Sequence, residues 1–285
     1  MFVFKAAVVG AGTMGGEIAQ TIADSGIPVV LKDVKIEFVD QGLEKARSVW
    51  QARVDQGKLE PAELERKLAL ITPTTDYDRF GDVDFVIEAV PERMVVKQTV
   101  FAELDEVTPG HAILSSNTSS LSITEMGEAT SRPDRVVGFH YFYPASMMRL
   151  IEVVEGDDTS AETAQAAANF AQAIRKTPIR CAEAPGFVVN RILTSAVSEL
   201  WAFQEESGMS VQELDKLVAD SKAAPVGPFY LADLLGLDTV LHVAQHVRES
   251  YGERFHVHGG MRELVAAGDL GAKTGKGFYE HGGGS

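Results

Sequence analysis

Two ionisable residues lie in an apolar segment of the sequence, and their chemical types suit proton transfer. The segment reads GFHYFYPASMMRLIEVV over residues 138–154, with His140 near its start and Glu152 twelve residues later. A buried ionisable side chain is costly unless it has a partner. An imidazole titrates near neutral pH, and a carboxylate against one ring nitrogen fixes its tautomer and stabilises the imidazolium. We therefore predict that His140 and Glu152 pair and that His140 acts as a general base.

The amino-terminal residues carry a pattern that could hold a dinucleotide. Phe2 to Val9 is a predicted strand, and Gly10-Ala11-Gly12-Thr13-Met14-Gly15 then opens a predicted helix. A second predicted strand, Ile27 to Lys32, ends at Asp33. In such a unit the glycines allow a tight turn, a close approach of backbone to a pyrophosphate, and helix packing on the strand. The carboxylate of Asp33 suits ribose hydroxyls and repels a 2′-phosphate, which favours NAD.

The same alternation of strands and helices continues and predicts an α/β fold with a mostly parallel, doubly wound sheet. Further strands are predicted at 69–73, 83–89, 112–115, 136–139 and 150–155, with helices at 41–54, 61–70 and 92–106. Ligands of such sheets bind outside the carboxyl ends of the strands. Three strand ends are followed by polar residues, namely by Glu92 and Lys97, by the run SNTSS from 116 to 120, and by His140. We expect these groups to meet at one edge.

Composition narrows the class of protein. The chain has 285 residues and a formal net charge of −15, which argues against a nucleic-acid partner. Its single cysteine, Cys181, cannot form an internal disulfide, and the first residues do not resemble a secretory signal, so a cytoplasmic setting is expected. No apolar run reaches the length of a membrane span. His242 and His246 are four residues apart, but no third ligand accompanies them, and no metal site is predicted.

Seven motifs in this order resemble the L-3-hydroxyacyl-CoA dehydrogenase family: GAGTMGGEIAQ, VIEAVPE, SNTSSL, GFHYFYPASMMRLIEV, APGFVVNRIL, GPFYLADLLGLD and KTGKGFY. Within it, ITPTTDY and the GPF segment most resemble the dehydrogenase part of multifunctional fatty-acid β-oxidation proteins. The resemblance implies an oxidoreductase that uses NAD to convert a 3-hydroxyacyl-CoA into a 3-ketoacyl-CoA. It covers nearly the whole chain.

The resemblance also implies roles for individual residues. His140 becomes the base and Glu152 its orienting partner, while Ser119 and Asn190 hydrogen-bond the substrate oxygen. The cofactor contacts that it implies are Glu92, Lys97, Ser119 and Lys273. The glycine turn and the second strand add Gly10, Gly12, Thr13, Met14, Gly15 and Asp33 to the expected cofactor contacts, and Tyr143 is expected among them as well.

Three features depart from the family pattern. Glu17 occupies a position that is usually glycine, and we expect its side chain to point outward. Tyr143 stands where relatives often have Asn or Ser, and its ring takes space near a nicotinamide or acyl chain. Val49 and Gln56 occupy helix positions where some relatives place Lys or Ser against the CoA phosphates. Arg53 and Lys58 remain as candidate contacts of the CoA group.

The rest of the chain is predicted to form a second, all-helical domain. The expected division is a dinucleotide-binding domain over 1–183, a helical substrate-binding and dimerisation domain over 184–280, and a flexible tail over 281–285. The first helix after Gly186 is apolar on more than one side, and Tyr230 to Val247 has the same character. Such helices indicate a homodimer or a covering neighbour domain.

Two alternatives stay open at this point. One is a related dehydrogenase that acts on a free hydroxy acid or sugar acid, which the altered CoA-facing helix and Tyr143 allow. The other is a non-catalytic NAD-binding structural subunit, against which the presence of both His140 and Glu152 speaks.

Overall fold

The computed structural model describes residues 2–282 of the chain. The chain divides into two compact units, Met1–Glu183 and Ala184–Ser285. Within the described residues, no helix is both long enough and apolar enough to cross a membrane.

The first unit is built on one eight-stranded sheet with the spatial order β3-β2-β1-β4-β5-β6-β7-β8. The strands are β1 (Ala6–Val9), β2 (Val29–Lys32), β3 (Ile71–Thr74), β4 (Phe85–Glu88), β5 (Ile113–Ser116), β6 (Val136–Tyr141), β7 (Leu150–Glu155) and β8 (Thr177–Ala182). Neighbouring strands are parallel except β6 and β7, which are antiparallel. The strand order reverses between β1 and β4, which is where doubly wound sheets bind their ligands.

Helices connect and cover these strands. They are α1 (Gly15–Asp24), α2 (Ile36–Asp55), α3 (Pro61–Leu68), α4 (Met94–Val107), α5 (Ile123–Gly127) and α6 (Ala161–Ala173). Every residue of β1, β2, β4 and β5 is buried. Such continuous burial explains why these strands are short apolar runs rather than alternating ones. The predicted fold class is confirmed.

Two differences from the expected elements have simple causes. The first strand begins at Ala6 rather than Phe2, because Phe2 and Phe4 are largely exposed and make no ladder. The last strand, β8, was not predicted. It pairs parallel to β7 at the edge of the sheet, and all its residues are exposed or half-buried, Pro178 among them. Edge strands tolerate proline and polar residues, so such a strand carries little apolar signal.

The second unit is helical, as expected. Its helices are α7 (Val189–Ser207), α8 (Val211–Asp220), α9 (Pro228–Leu235), α10 (Leu237–Tyr251) and α11 (Gly259–Ala267). Trp201, Phe229, Leu237 and Met261 lie in its buried apolar core. After α11 the chain makes isolated antiparallel bridges between Gly271, Lys276 and Glu280 rather than another helix.

The predicted tail needs one correction. His281 was placed in the flexible segment, but its Nε2 lies 2.8 Å from Oδ2 of Asp233, a fully buried carboxylate. The backbone N–H of His281 also donates to the carbonyl of Gly275. Residue 281 therefore belongs to the folded unit, and residues 283–285 lie outside the described part of the chain.

Candidate active site

The glycine turn after β1 has the geometry of a dinucleotide loop. Gly10 has φ of +101°, and a Cβ there would come within 2.5 Å of the Ala89 carbonyl oxygen. A Cβ on Gly15 would lie 1.7 Å from the carbonyl oxygen of Gly10. A Cβ on Gly12 would meet nothing within 4 Å. The first and third glycines are thus required by the protein's own backbone, and the second faces open space that a pyrophosphate at the start of α1 can use.

Asp33 lies beside this loop, directly after β2. Its Oδ2 accepts from the backbone N–H of Ala11 at 2.7 Å, and its Oδ1 accepts from Val34 at the same distance. The carboxylate is thereby held next to the turn that approaches the pyrophosphate. This position suits a ribose diol and repels a 2′-phosphate. The loop and Asp33 together fit a bound NAD.

A buried charge network follows β4. Lys97 on α4 is 1 % exposed, and its ammonium lies 2.8 Å from Oε1 of Glu88 and 3.2 Å from Oε2 of Glu92. Glu88 is fully buried and also accepts from the Ser116 hydroxyl at 2.6 Å. Burial raises the pKa of Glu88 above its ordinary value, against the opposing charge of Lys97. The network ties the ends of β4 and β5 to α4.

Glu92 has the more accessible carboxylate of the two. It accepts from the Thr118 hydroxyl at 2.5 Å and from the Ser119 backbone N–H at 3.0 Å. Burial tends to raise its pKa, but the charge of Lys97 and these hydrogen bonds leave the pKa below its ordinary value. The carboxylate therefore stays ionised and anchors the turn that carries Ser119.

Glu88 was not singled out by sequence analysis. The signal was present, because an acidic residue at the end of an otherwise apolar buried strand requires a partner. Lys97, nine residues later, is that partner. Lys97 was predicted to line the cofactor site; the structure buries its ammonium between two carboxylates, and direct contact with a cofactor stays a prediction.

His140 and Glu152 lie directly opposite each other on antiparallel strands. The register of β6 and β7 pairs His140 with Glu152. Nδ1 of the ring and Oε2 of the carboxylate are 2.7 Å apart. The side chain of Glu152 is 0 % exposed and that of His140 is 7 % exposed. Residues directly opposite on two strands point to the same face, which is why the two side chains meet.

The pair lies near the same edge as the dinucleotide loop. Strands β1, β4, β5 and β6 are mutually parallel neighbours, so the carboxyl end of β6 faces the same way as those that precede the glycine turn, Glu92 and Ser119. One residue after His140, the backbone N–H of Tyr141 donates to the side chain of Asn117, at the end of β5. A buried histidine, an ordered carboxylate and a dinucleotide loop at one sheet edge suit proton transfer coupled to hydride transfer.

Other predicted site residues lie in different surroundings. Arg53 is ion-paired with Asp24, the last residue of α1, and thus lies at the end of that helix away from the glycine turn. Lys58 donates to Gln56. Their contact with a CoA phosphate stays a prediction. Tyr143 is 47 % exposed in the connection between β6 and β7.

Two predicted residues belong to the second unit. Asn190 lies in the first turn of α7. Lys273 is ion-paired with Asp238 at 2.7 Å and also donates to Thr239. Their proposed roles toward substrate and cofactor stay predictions. Within residues 2–282, no group of three or more His, Cys, Asp or Glu side chains could hold a metal ion.

The expectation for Glu17 was wrong. Its side chain is 3 % exposed, and Oε2 accepts from the backbone N–H and hydroxyl of Ser146. A carboxylate in the first turn of α1 suits the helix dipole wherever it points. The position of Ser146, 129 residues away in sequence, decides the direction.

The fold and this edge define an NAD-dependent oxidoreductase of the Rossmann type. Residues 5–184 match the NAD-binding domain of 3-hydroxyacyl-CoA dehydrogenase, and residues 186–281 match the carboxyl-terminal domain of the same enzymes. The chain belongs to the 3-hydroxyacyl-CoA dehydrogenase family.

Individual relatives agree with this assignment. The chain is 38 % identical to 3-hydroxybutyryl-CoA dehydrogenase of Clostridioides difficile, over 97 % of this chain and 99 % of that protein. The crystal structure of (S)-3-hydroxybutyryl-CoA dehydrogenase from Ralstonia eutropha is 37 % identical with a TM-score of 0.93, covering 99 % of this chain and 100 % of that one.

A multifunctional relative is equally similar in sequence. The fatty acid oxidation complex subunit alpha of Acinetobacter baylyi is 38 % identical over 97 % of this chain, but this chain spans only 39 % of its length. Sequence identity therefore does not separate a stand-alone dehydrogenase from the dehydrogenase part of a larger protein.

Proposed function

We propose that the chain catalyses the reversible oxidation of the 3-hydroxyl of an L-3-hydroxyacyl-CoA to the 3-ketoacyl-CoA, a step of the fatty-acid β-oxidation type. The observation that carries the proposal is the His140–Glu152 pair, placed by strand register at the edge of the sheet that also bears the dinucleotide loop. Family membership supports the substrate class.

The two residues divide the proton chemistry between them. Glu152 accepts a hydrogen bond from Nδ1 of His140, so Nε2 of the neutral ring is the nitrogen that takes the hydroxyl proton of the substrate. As that proton arrives, the carboxylate stabilises the imidazolium at 2.7 Å. Bound NAD supplies the hydride acceptor for C3. In the reverse direction His140 returns the proton to the oxygen of the ketone.

Other residues bind and orient. The backbone of Gly10 to Gly15, including Thr13 and Met14, receives the pyrophosphate, and Asp33 receives the ribose. Glu92 holds the turn on which Ser119 presents its hydroxyl to the substrate oxygen and the cofactor. On the family resemblance alone, we keep Asn190 as a proposed second hydrogen-bonding group for that oxygen and Tyr143 and Lys273 as proposed cofactor contacts.

The experiment that tests this function compares two substrates. NADH oxidation is followed with acetoacetyl-CoA and with free acetoacetate, using the unmodified chain and His140→Gln as the matched control. We expect turnover with acetoacetyl-CoA only, and its loss in the variant. Equal rates with free acetoacetate would instead indicate a dehydrogenase of non-CoA hydroxy acids. Binding of NADH without turnover of either compound would indicate a non-catalytic subunit.

We propose further that the chain forms a homodimer through its carboxyl-terminal helices. Several large apolar side chains of these helices are exposed: Ile192, Leu193, Phe203, Leu217, Tyr230, Leu234 and Leu235. A net charge of −15 opposes association, so a stable dimer needs a large apolar contact. Light scattering should give twice the monomer mass, and Ile192→Glu should lower it. A monomeric unmodified chain would contradict the proposal.

A cytoplasmic location is the corresponding proposal for the cell. The single cysteine, which cannot form an internal disulfide, supports it. Fractionation of cells that express the full natural protein, with detection by antibody, would test it. Recovery of the protein in a membrane or secreted fraction would contradict it.

A further inference from the structure

We propose that Glu17 is a positioning residue that holds the connection between the two dyad strands against the first turn of α1. This connection, residues 142–149, is called the dyad loop below, because β6 before it carries His140 and β7 after it carries Glu152. The inference rests on the proposed function and adds a residue to it.

Glu17 forms two hydrogen bonds with Ser146 of the dyad loop. Its Oε2 accepts from the backbone N–H of Ser146 at 3.0 Å and from the Ser146 hydroxyl at 2.9 Å. The side chain of Glu17 is almost fully buried, at 3 % exposure. A buried carboxylate is tolerated only where such donors satisfy it. The two hydrogen bonds therefore fix the loop and the carboxylate together.

Lys176 also hydrogen-bonds the backbone of the dyad loop. Lys176, just before β8, donates to the carbonyl of Ala145 at 2.5 Å and to that of Met148 at 2.8 Å. Burial lowers the pKa of Lys176, and the negative charge of Glu17 acts in the opposite direction. Lys45 on α2 lies 3.4 Å from Oε1 of Glu17. The carboxylate therefore accepts from one backbone N–H and one hydroxyl of the loop, and the ammonium donates to two of its backbone carbonyls.

The connection joins the two functional parts of the first unit. Glu17 is in the first turn of α1, two residues after Gly15, whose Cα is packed against the carbonyl of Gly10. Ser146 is in the loop that leads from His140 and back to Glu152. A shift of this loop moves Tyr143, which lies in it, and changes the angle at which β6 presents the imidazole. Misplacement of a reacting group by about 1 Å can lower a rate by roughly 10²-fold.

The test uses a graded set of variants. Glu17→Ala removes the acceptor, Glu17→Gln keeps an acceptor oxygen without the charge, and Ser146→Ala removes one of the two donors. Glu44→Ala, which removes an exposed carboxylate of α2, is the matched control. Each is assayed for kcat and KM with acetoacetyl-CoA and NADH. Hydrogen exchange of the Ser146 amide is measured by mass spectrometry on a peptide that covers the dyad loop.

We expect Glu17→Ala to lower kcat by about tenfold, with a smaller change in KM, because substrate still binds but the dyad is less well placed. The Ser146 amide should exchange faster in this variant. Glu17→Gln should recover most of kcat and of the protection, and Glu44→Ala should match the unmodified chain. Adding Ser146→Ala to Glu17→Ala should cause no further loss, since both remove the same contact.

Three results would overturn the proposal: unchanged kcat and unchanged Ser146 exchange in Glu17→Ala, a Glu17→Gln variant as impaired as Glu17→Ala, or a lower melting temperature with normal kcat per folded molecule. Failure of the proposed function is a separate result. If the unmodified chain turned over no acetoacetyl-CoA, the exchange of the Ser146 amide would still report whether Glu17 holds the loop.

Discussion

Two pairs of a histidine and a buried carboxylate have similar distances but use different ring nitrogens, Nδ1 in His140 and Nε2 in His281, and they have different surroundings. In the first unit, Glu152 and His140 are 2.7 Å apart, and in the second, Asp233 and His281 are 2.8 Å apart. Both carboxylates are completely buried. Asp233 also accepts from the backbone N–H groups of Phe278 and Tyr279, so it organises a turn of its own unit.

The difference lies in what surrounds each pair. His140 stands at the carboxyl edge of a parallel sheet that presents a glycine turn and the Asp33 carboxylate. His281 follows the turn that Asp233 holds, and its hydrogen bond adds to that anchoring. The distances differ by only 0.1 Å and both carboxylates are fully buried, so neither property identifies a catalytic pair. Position in the fold does, because the edge of a doubly wound sheet is where cofactor and substrate are bound.

The largest expected effect comes from replacing each histidine by glutamine. His140→Gln should lower turnover with acetoacetyl-CoA by about 10² to 10⁴, the usual contribution of a positioned base. His281→Gln removes a matching hydrogen bond in the second unit and should leave turnover within about threefold of the unmodified chain. Steady-state assays of both variants check this. Similar losses of turnover in the two variants would contradict the claim that position in the fold decides which pair is catalytic.

Replacing Glu152 should mainly lower activity, and replacing Asp233 should mainly lower stability. Glu152→Gln should lower turnover by about 10²-fold, because an amide can donate to Nδ1 and favour the wrong tautomer. Asp233→Ala leaves three donors without an acceptor and should lower the free energy of unfolding of the second unit by about 3 kcal/mol. Urea unfolding and activity are measured on both. A reversal, with Glu152→Gln unstable but active per folded molecule, would contradict the assignment.

Cofactor choice should respond to Asp33 and not to Asp233. The unmodified chain should prefer NADH over NADPH, and Asp33→Ala should reduce that preference by about tenfold, since ribose hydrogen bonds and repulsion of a 2′-phosphate are both lost. The ratio of kcat/KM for the two cofactors is the measurement. Equal kcat/KM with NADH and NADPH in the unmodified chain would contradict the proposed role of Asp33.

The smallest expected effect concerns a third histidine, which caps a helix. Nδ1 of His258 accepts a hydrogen bond from the Met261 N–H at the start of α11, and Nε2 hydrogen-bonds the side-chain oxygen of Gln204. Because a protonated ring has no acceptor nitrogen, the cap requires the neutral ring. Burial lowers the pKa of His258, Glu205 acts against this, and His256 adds to it. Because the folded state disfavours the proton, this contribution to stability is complete above the ordinary histidine pKa and declines as the pH falls through the lowered one.

The melting temperature should therefore fall between about pH 7.5 and about pH 5.5, and His258→Asn, which keeps a capping oxygen without a titration, should fall less. Glu205 keeps its charge over this range, since burial is outweighed by hydrogen bonds from Gly259 and His256 that leave its pKa below the ordinary value. Identical pH dependence in the variant and the unmodified chain would show that another group is responsible.

Much of the fold and part of the site can be read from the sequence. The glycine turn, the position of Asp33 after the second strand and the buried strands depend on local pattern, and the pattern predicts them apart from the exact strand ends; the first two strands, for example, begin at Ala6 and Val29. The pairing of His140 with Glu152 needs more, because the register of β6 and β7 depends on a connection of eight residues between Tyr141 and Leu150. The sequence is compatible with the pairing, but the register that places the two residues opposite each other depends on the geometry of that connection.

Contacts between distant segments were the part that could not be read. Glu17 points to Ser146 rather than to solvent, and β8 completes the sheet without an apolar signal. His281 is anchored by Asp233, 48 residues earlier. Glu17 and His281 each hydrogen-bond a partner that only the tertiary fold brings near, and β8 pairs with a strand that the fold brings beside it. Local propensity has no information about such partners.

The most direct test of the account is a single-turnover measurement with NADH already bound. The loss of NADH absorbance is followed after mixing with saturating acetoacetyl-CoA, for the unmodified chain and for His140→Gln, with the dissociation constant of NADH measured by fluorescence titration. We expect the first turnover to be slowed by about 10² or more in the variant and the NADH dissociation constant to change by no more than about twofold. A first turnover at the rate of the unmodified chain would contradict it.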